Sequence, residues 1–161
     1  MKTSMSDPQV WHDFWQAFLD QLARGESPPA DRYPDWYFGD NPALADELGE
    51  LVLAGVKTAT CTLLLEFQRA AEPLPQVGER SIITRYNGQP LGIIETTSVE
   101  VLPFEQVSAE FAFAEGEGDR SYASWRAGHV RYFTRRCQEL GEAFDPGMAV
   151  VCERFRLLFP R

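Results

Sequence analysis

Apolar positions along this chain recur at two different periods, and the change between them divides it. Over residues 8–24, Trp11, Phe14, Trp15, Phe18 and Leu22 follow three- and four-residue spacing, the signature of one helix face. Asp7 stands where an N-cap would, and Pro8 suits the first turn. A packing helix is predicted there. A Pro- and Gly-rich connection over 25–40 carries Tyr33, Trp36, Tyr37 and Phe38, a set that either plugs the edge of a core or lines a base-stacking pocket. A second helix is predicted from Asn41-Pro42 to Gly55, with Leu44, Leu48, Leu51 and Val52 as its stripe. Thr60 or a neighbour is expected to cap a third helix through Ala71, because hydroxyl residues precede the run Leu63, Leu64, Leu65, Phe67.

Beyond Pro73 and Pro75 the period falls to two. Residues 81–86 and 91–101 read as strands joined at Asn87-Gly88, a dipeptide that favours the left-handed hairpin turn. A helical stretch around 107–114 leads into the acidic, glycine-rich EGEGD at 115–119. Asp119 is the expected cap of a long helix to about Leu140, with Tyr122, Trp125, His129, Phe133 and Arg136 on one side and Gly141 as the stop. Residues 148–159 read as a closing strand. With no internal repeat or interdomain linker, the 161 residues are expected to form one domain.

Composition narrows the function classes. A 44% hydrophobic, 24% charged chain is that of a packed globular protein, not a disordered tail. The net charge of -9 weighs against non-specific duplex binding, which needs a basic stripe to displace counterions. Local contact with nucleic acid stays open through Arg126, Arg131, Arg135 and Arg136 in the long helix and Arg154, Arg156 and Arg161 at the end. Cys61, Cys137 and Cys152 are odd in number and lack metal-ligand spacing, so reduced thiols and a cytoplasmic location are expected. The polar stretch 1–9 does not read as a signal peptide, and no run approaches the ~18 apolar residues of a membrane span. His12 and His129 fall in different helices without HxxxH or HExxH spacing, which argues against zinc.

Candidate chemistry concentrates in LVLAGVKTATCT at 51–62. Lys57 comes just past a helix end and is followed by Thr58, Thr60 and Thr62, and a helix starting there would add partial positive charge. Glu95 is the matching carboxylate. By alternation it shares a face with Ile93, Thr97, Val99 and Val101, so it must be paired, hydrogen-bonded or raised in pKa. It is either part of a functional pocket or in a structural pair with Arg85 or another base. Glu153, between Val151 and Phe155, is its rival. A threonine nucleophile, a lysine that assists it and a carboxylate that exchanges protons would make a hydrolytic set. His129 reads as a helix-face histidine packed against Trp125 and Phe133, or as a general base.

Taken together, GVKTAT, the upstream FGDNPALADELGELVLAG, and the later GIIETTSVEV, EGEGDRSYASWRAGH and VVCERF resemble the ASCH domain family in its bacterial single-domain branch, over about residues 33–159. The resemblance implies an α+β, PUA-like fold: a mixed β-barrel surrounded by helices, with an additional N-terminal helix. It also implies a link to RNA or modified nucleosides. Two activities are known in such relatives: an amidohydrolase that removes acetyl from N4-acetylcytidine and requires no cofactor, and a single-strand ribonuclease that uses a divalent metal ion. The amidohydrolase pattern of Lys, Thr three residues on and a Glu in a following strand falls on Lys57, Thr60 and Glu95. Thr58, Arg85, Ser121, Trp125 and His129 are the substrate-binding candidates, and no metal ligand is assigned. The expected partners are a modified nucleoside or single-stranded RNA, with neither membrane nor strong duplex DNA binding, and a non-catalytic RNA-binding module is the third reading. This chain departs from the charged GxKxxExR motif by placing Thr60 and Thr62 at its Glu and Arg positions.

Overall fold

A computed structural model of the chain describes residues 6–23 and 25–161. Helix α1 runs Pro8–Gln21, with Asp7 accepting the Gln9 N–H as N-cap and Pro8 in the first turn. It ends three residues before the predicted boundary at Arg24, which lies outside the described residues, as do Met1–Met5. A two-residue strand β1, Asp35–Trp36, follows. Helix α2, Pro42–Leu53, is capped by Asn41, whose side chain accepts the Leu44 N–H. Then come β2 (Ala59–Leu63), α3 (Leu64–Ala70), β3 (Arg80–Thr84), β4 (Pro90–Pro103), a single 3-10 turn, α4 (Ala109–Glu115), α5 (Tyr122–Glu139) and β5 (Ala149–Phe159). The strands form one mixed sheet in the order β1-β3-β4-β5-β2, parallel between β1 and β3 and antiparallel between β3 and β4 and between β2 and β5. This is the α+β class the resemblance implied, with its N-terminal helix.

The chain divides into two compact units, and β4 and β5 run through both. The first comprises Met1–Gly55, Glu79–Glu95 and Arg156–Arg161. Trp11 and Phe18 of α1 pack there on Ile82 and Ile93, so the 3.6-period face of the helix meets the buried face of the β3–β4 hairpin. The hairpin turns at Asn87-Gly88 as expected, with Gly88 at φ 85 and its N–H donating to Arg85 O. The second unit, Val56–Gly78 and Thr96–Phe155, is built around Phe104, Phe111, Trp125 and Phe133, against Ala59, Cys61 and Leu63 of β2 and Val150 and Cys152 of β5. Among the described residues no helix is long and apolar enough to cross a membrane.

One prediction is corrected inside the second unit. Thr60 does not cap a helix. It lies in the middle of β2, opposite Glu153 of β5, in a strand whose Ala59, Cys61 and Leu63 are buried while Thr60 and Thr62 are half-buried. That alternation has period two, and pairing with β5 satisfies the backbone groups that a threonine cap would otherwise serve. Helix α3 therefore begins four residues later, with Leu63 at its N-cap and no capping side chain, so its positive end is not next to Lys57 in sequence.

Candidate active site around Lys57

Residues 56–58 are held against the end of α4. The Thr58 N–H donates to Ala114 O at 2.8 Å, and the Thr58 hydroxyl donates to the same oxygen at 3.2 Å. Gly116, at φ 72, lies so close to this segment that a Cβ there would come within 2.6 Å of Val56 O. The fit directs Lys57 inward, where the residue is only 1% exposed. Its Nζ donates to Ala59 O at 2.9 Å and to Glu117 Oε1 at 2.9 Å, and it stands 3.3 Å from Glu115 Oε2. Glu115 is as deeply buried as the lysine, while Glu117 retains 30% exposure.

Helix α5 supplies the other side of Glu115. Ser121 caps this helix by accepting the Ser124 N–H, whereas Asp119, the predicted cap, accepts the N–H of Ser121 one step outside. On the inward face, the His129 ring stacks on Trp125 with centroids 4.3 Å apart and meets Phe133 edge-on. His129 Nδ1 lies 2.9 Å from Trp125 O, and Nε2 lies 3.3 Å from Glu115 Oε1. Both ring nitrogens face acceptors, so the doubly protonated imidazolium fits this site better than either neutral tautomer. The Nε2–Oε1 approach is an ion pair and not an aligned hydrogen bond, since Glu115 Oε1 has no such bond.

Opposed effects set the charges. Burial by itself would push Glu115 up, but Lys57 and His129 outweigh it and bring the carboxyl down to about 2. Burial would likewise lower Lys57 and His129, yet Glu115, joined by Glu117, raises both above their ordinary values. Four charges therefore share one buried site, two positive and two negative.

The remaining predicted residues go elsewhere. Glu95 belongs to the first unit, where Arg80 Nε donates to it at 3.0 Å and Arg156 Nη2 at 2.7 Å. Arg85, once a candidate partner for it, instead pairs with Glu50 and Asp46. Glu153 accepts the Thr96 hydroxyl at 2.6 Å. Thr58 is exposed at the edge of the Lys57 segment, and Trp125 and His129 are part of the buried cluster. Glu115 and Glu117 were not among the predicted site residues. Their only signal in the sequence was two glutamates among the glycines of EGEGD, ahead of a helix with an inward histidine.

Glu115, Glu117 and His129 offer donor atoms within 4.8 Å of one another, a spacing that a divalent ion tolerates. The Lys57 ammonium already stands among these carboxylates, so an ion there would have to displace it and take the proton from His129 Nε2.

The ASCH domain family matches residues 35–158 of the chain. The chain belongs to the ASCH domain family. Two solved structures agree with this. An ASCH domain from Lactobacillus crispatus JV V101 is 36% identical, covering 92% of this chain and 94% of its own, with a TM-score of 0.84. A protein from Enterococcus faecalis V583 is also 36% identical over 93% of this chain and 88% of its own, with a TM-score of 0.79. Among curated proteins, none matches the chain. Within this ASCH domain, helix α1 precedes the matched span, and the Lys57 cluster lies inside it.

Proposed function

We propose that this ASCH domain is a hydrolase directed at nucleosides or RNA, most concretely an amidohydrolase that removes an acyl group from the exocyclic amine of an N4-acylated cytidine. The observation that carries the reading is the buried Lys57 ammonium held by two carboxylates, one of them still accessible. A fully buried ion pair seldom repays its desolvation against an apolar replacement, so a shared lysine, histidine and carboxylate cluster is a functional candidate first. Its charge also selects. Two carboxylates already offset Lys57, so the site favours a neutral amide over a phosphodiester anion.

In this reading the Thr60 hydroxyl attacks the amide carbonyl. Lys57, kept charged by its raised pKa and with its N–H groups already on Ala59 O, Glu115 and Glu117, stabilises the developing oxyanion through its charge. Glu117, the half-buried carboxylate on Lys57, accepts the hydroxyl proton and returns it to the departing amine as the C–N bond breaks. Water then cleaves the acyl-threonine, releasing the carboxylic acid and restoring Thr60. Glu95, the carboxylate that the family pattern points to, is the alternative in the proton-transfer role.

The test is release of cytidine from N4-acetylcytidine with a chelator present, run beside a labelled single-stranded RNA. Chelator-resistant release supports the amidohydrolase. RNA cleavage that the chelator stops would replace it with the ribonuclease, and RNA binding without any turnover would leave a binding module.

A further inference from the structure

Cys61 of β2 and Cys152 of β5 are directly opposed across the antiparallel ladder, and both are buried, free thiols. One nearby bond sets the phase of that ladder. Phe155 N–H donates to Thr58 O at 3.0 Å, which makes these two a hydrogen-bonded pair, and alternation over three steps leaves Cys61 and Cys152 a non-hydrogen-bonded one. Opposed Cα atoms at such a pair are about 4.5 Å apart, with the side chains at their closest. A disulfide spans Cα separations of roughly 4.4–6.8 Å, so the two sulfurs can join with little movement of either strand. Cys137, on α5, is engaged elsewhere, its thiol 4.0 Å from Met148 Sδ.

A cavity of about 170 Å³ reaches one member of the pair: Cys152 lines it, together with Ser98, Glu100, Ser108, Phe111 and Arg154. Space of this size holds a few water molecules, each about 30 Å³ in the liquid, and so takes a small hydroperoxide whole. We infer that Cys152 and Cys61 are a peroxide-sensitive pair: a hydroperoxide enters this cavity, oxidises Cys152 and leaves the two strands joined by a disulfide. The Cys152 sulfur bonds to one peroxide oxygen as the O–O bond breaks, giving a sulfenic acid, and the thiol proton departs with the other oxygen as water or an alcohol. The Cys61 sulfur then displaces the sulfenic hydroxyl, which leaves as water with the Cys61 proton. Two thiols lose two electrons, and one hydroperoxide gains them. Arg154, bonded to Glu110 through one nitrogen, keeps N–H donors for the departing oxygen. Access and acidity set the order of attack. Burial, with Cys152 alongside, holds the Cys61 thiol protonated, so Cys152 meets the oxidant and Cys61 resolves it. The bond ties β2 to β5 next to Thr60.

The test exposes the folded, reduced chain to a small excess of hydrogen peroxide at neutral pH, removes the peroxide with catalase, and alkylates in urea with N-ethylmaleimide before mass spectrometry. The wild type should lose two of its three alkylation sites, recover all three after dithiothreitol, and yield a linked peptide that joins Cys61 to Cys152. Cys61→Ser should stop at a sulfenic acid on Cys152 that dimedone traps, and Cys152→Ser should keep both remaining thiols through the same exposure. Thermal melting checks that each variant is folded, and the linked peptide of the wild type carries the test should either fail. Three alkylated sites after peroxide, a link that uses Cys137, or a loss of sites that dithiothreitol does not reverse would overturn the inference. So would a dimedone adduct on Cys61 in folded Cys152→Ser. No turnover is read, so the outcome is independent of the hydrolase reading.

Discussion

Glu117 Oε1 and Lys57 Nζ stand 2.9 Å apart although 60 positions separate them in the chain. The lysine is buried and the carboxylate is half-open, so the two ends of this pair differ in what their loss does. Lys57→Ala leaves the buried Glu115 carboxylate with His129 as its remaining cationic partner, and loss of one partner from a buried pair costs about 3–5 kcal/mol. Glu117→Gln keeps its shape at a partly solvated position and should cost no more than about 1 kcal/mol. Urea denaturation of the two variants checks the ordering, and equal losses would mean that Lys57 and Glu115 are not the buried core of the cluster.

Acid and base act on opposite members. The lowered Glu115 contributes stability that is complete above the unfolded carboxylate value of ~4.3 and is lost as pH falls towards about 2. The raised His129 contributes stability that is complete below its unfolded value of ~6.5 and is lost as pH rises through the folded one. The melting temperature should therefore fall on both sides of a weakly acidic maximum, and His129→Gln should flatten the alkaline limb. Stability that rises with pH through neutrality in the wild type, but not in His129→Gln, would contradict the imidazolium assignment.

Glu95 is 15% exposed, and although burial works against its charge, the hydrogen bonds from Arg156 and Arg80 hold its carboxyl below the usual value. A double-mutant cycle of Glu95→Gln and Arg80→Ala should give a coupling of about 1 kcal/mol in stability. Additive losses would mean that the ion pair is incidental.

Burial, with Cys152 alongside, pushes the Cys61 thiol well above its ordinary value, so little thiolate forms near neutrality. Iodoacetamide at mildly alkaline pH should leave Cys61 unlabelled in the folded protein and label it in urea. Rapid labelling of the native protein, followed by peptide mass spectrometry, would contradict the buried β2 register.

Where a single element carries its own period, the sequence was readable. Trp11 to Leu22, the α2 stripe, the Asn87-Gly88 hairpin and the inward face of α5 all appear where their spacing placed them. β2 was hidden because its alternation lasts five residues and runs directly into the apolar start of α3, so Thr60 imitated a cap. β1, two residues long, leaves no period to detect. In the site, Lys57 and His129 could be singled out one at a time, but Glu115 and Glu117 lay in a stretch whose charge and glycines resemble a solvated loop. What buries Glu115 is contact made 58 positions away, and no local pattern records it.

The most direct test of the account compares kcat for N4-acetylcytidine hydrolysis in the wild type, Thr60→Val, Glu117→Gln and Glu95→Gln, each confirmed folded and assayed with a chelator. Chelator-resistant turnover is expected of the wild type, with a loss of at least about 100-fold in Thr60→Val and Glu117→Gln, as for a nucleophile and a proton-transfer group, and a far smaller change in Glu95→Gln. Turnover that survives Glu117→Gln and disappears with Glu95→Gln would move the chemistry away from the carboxylate on Lys57.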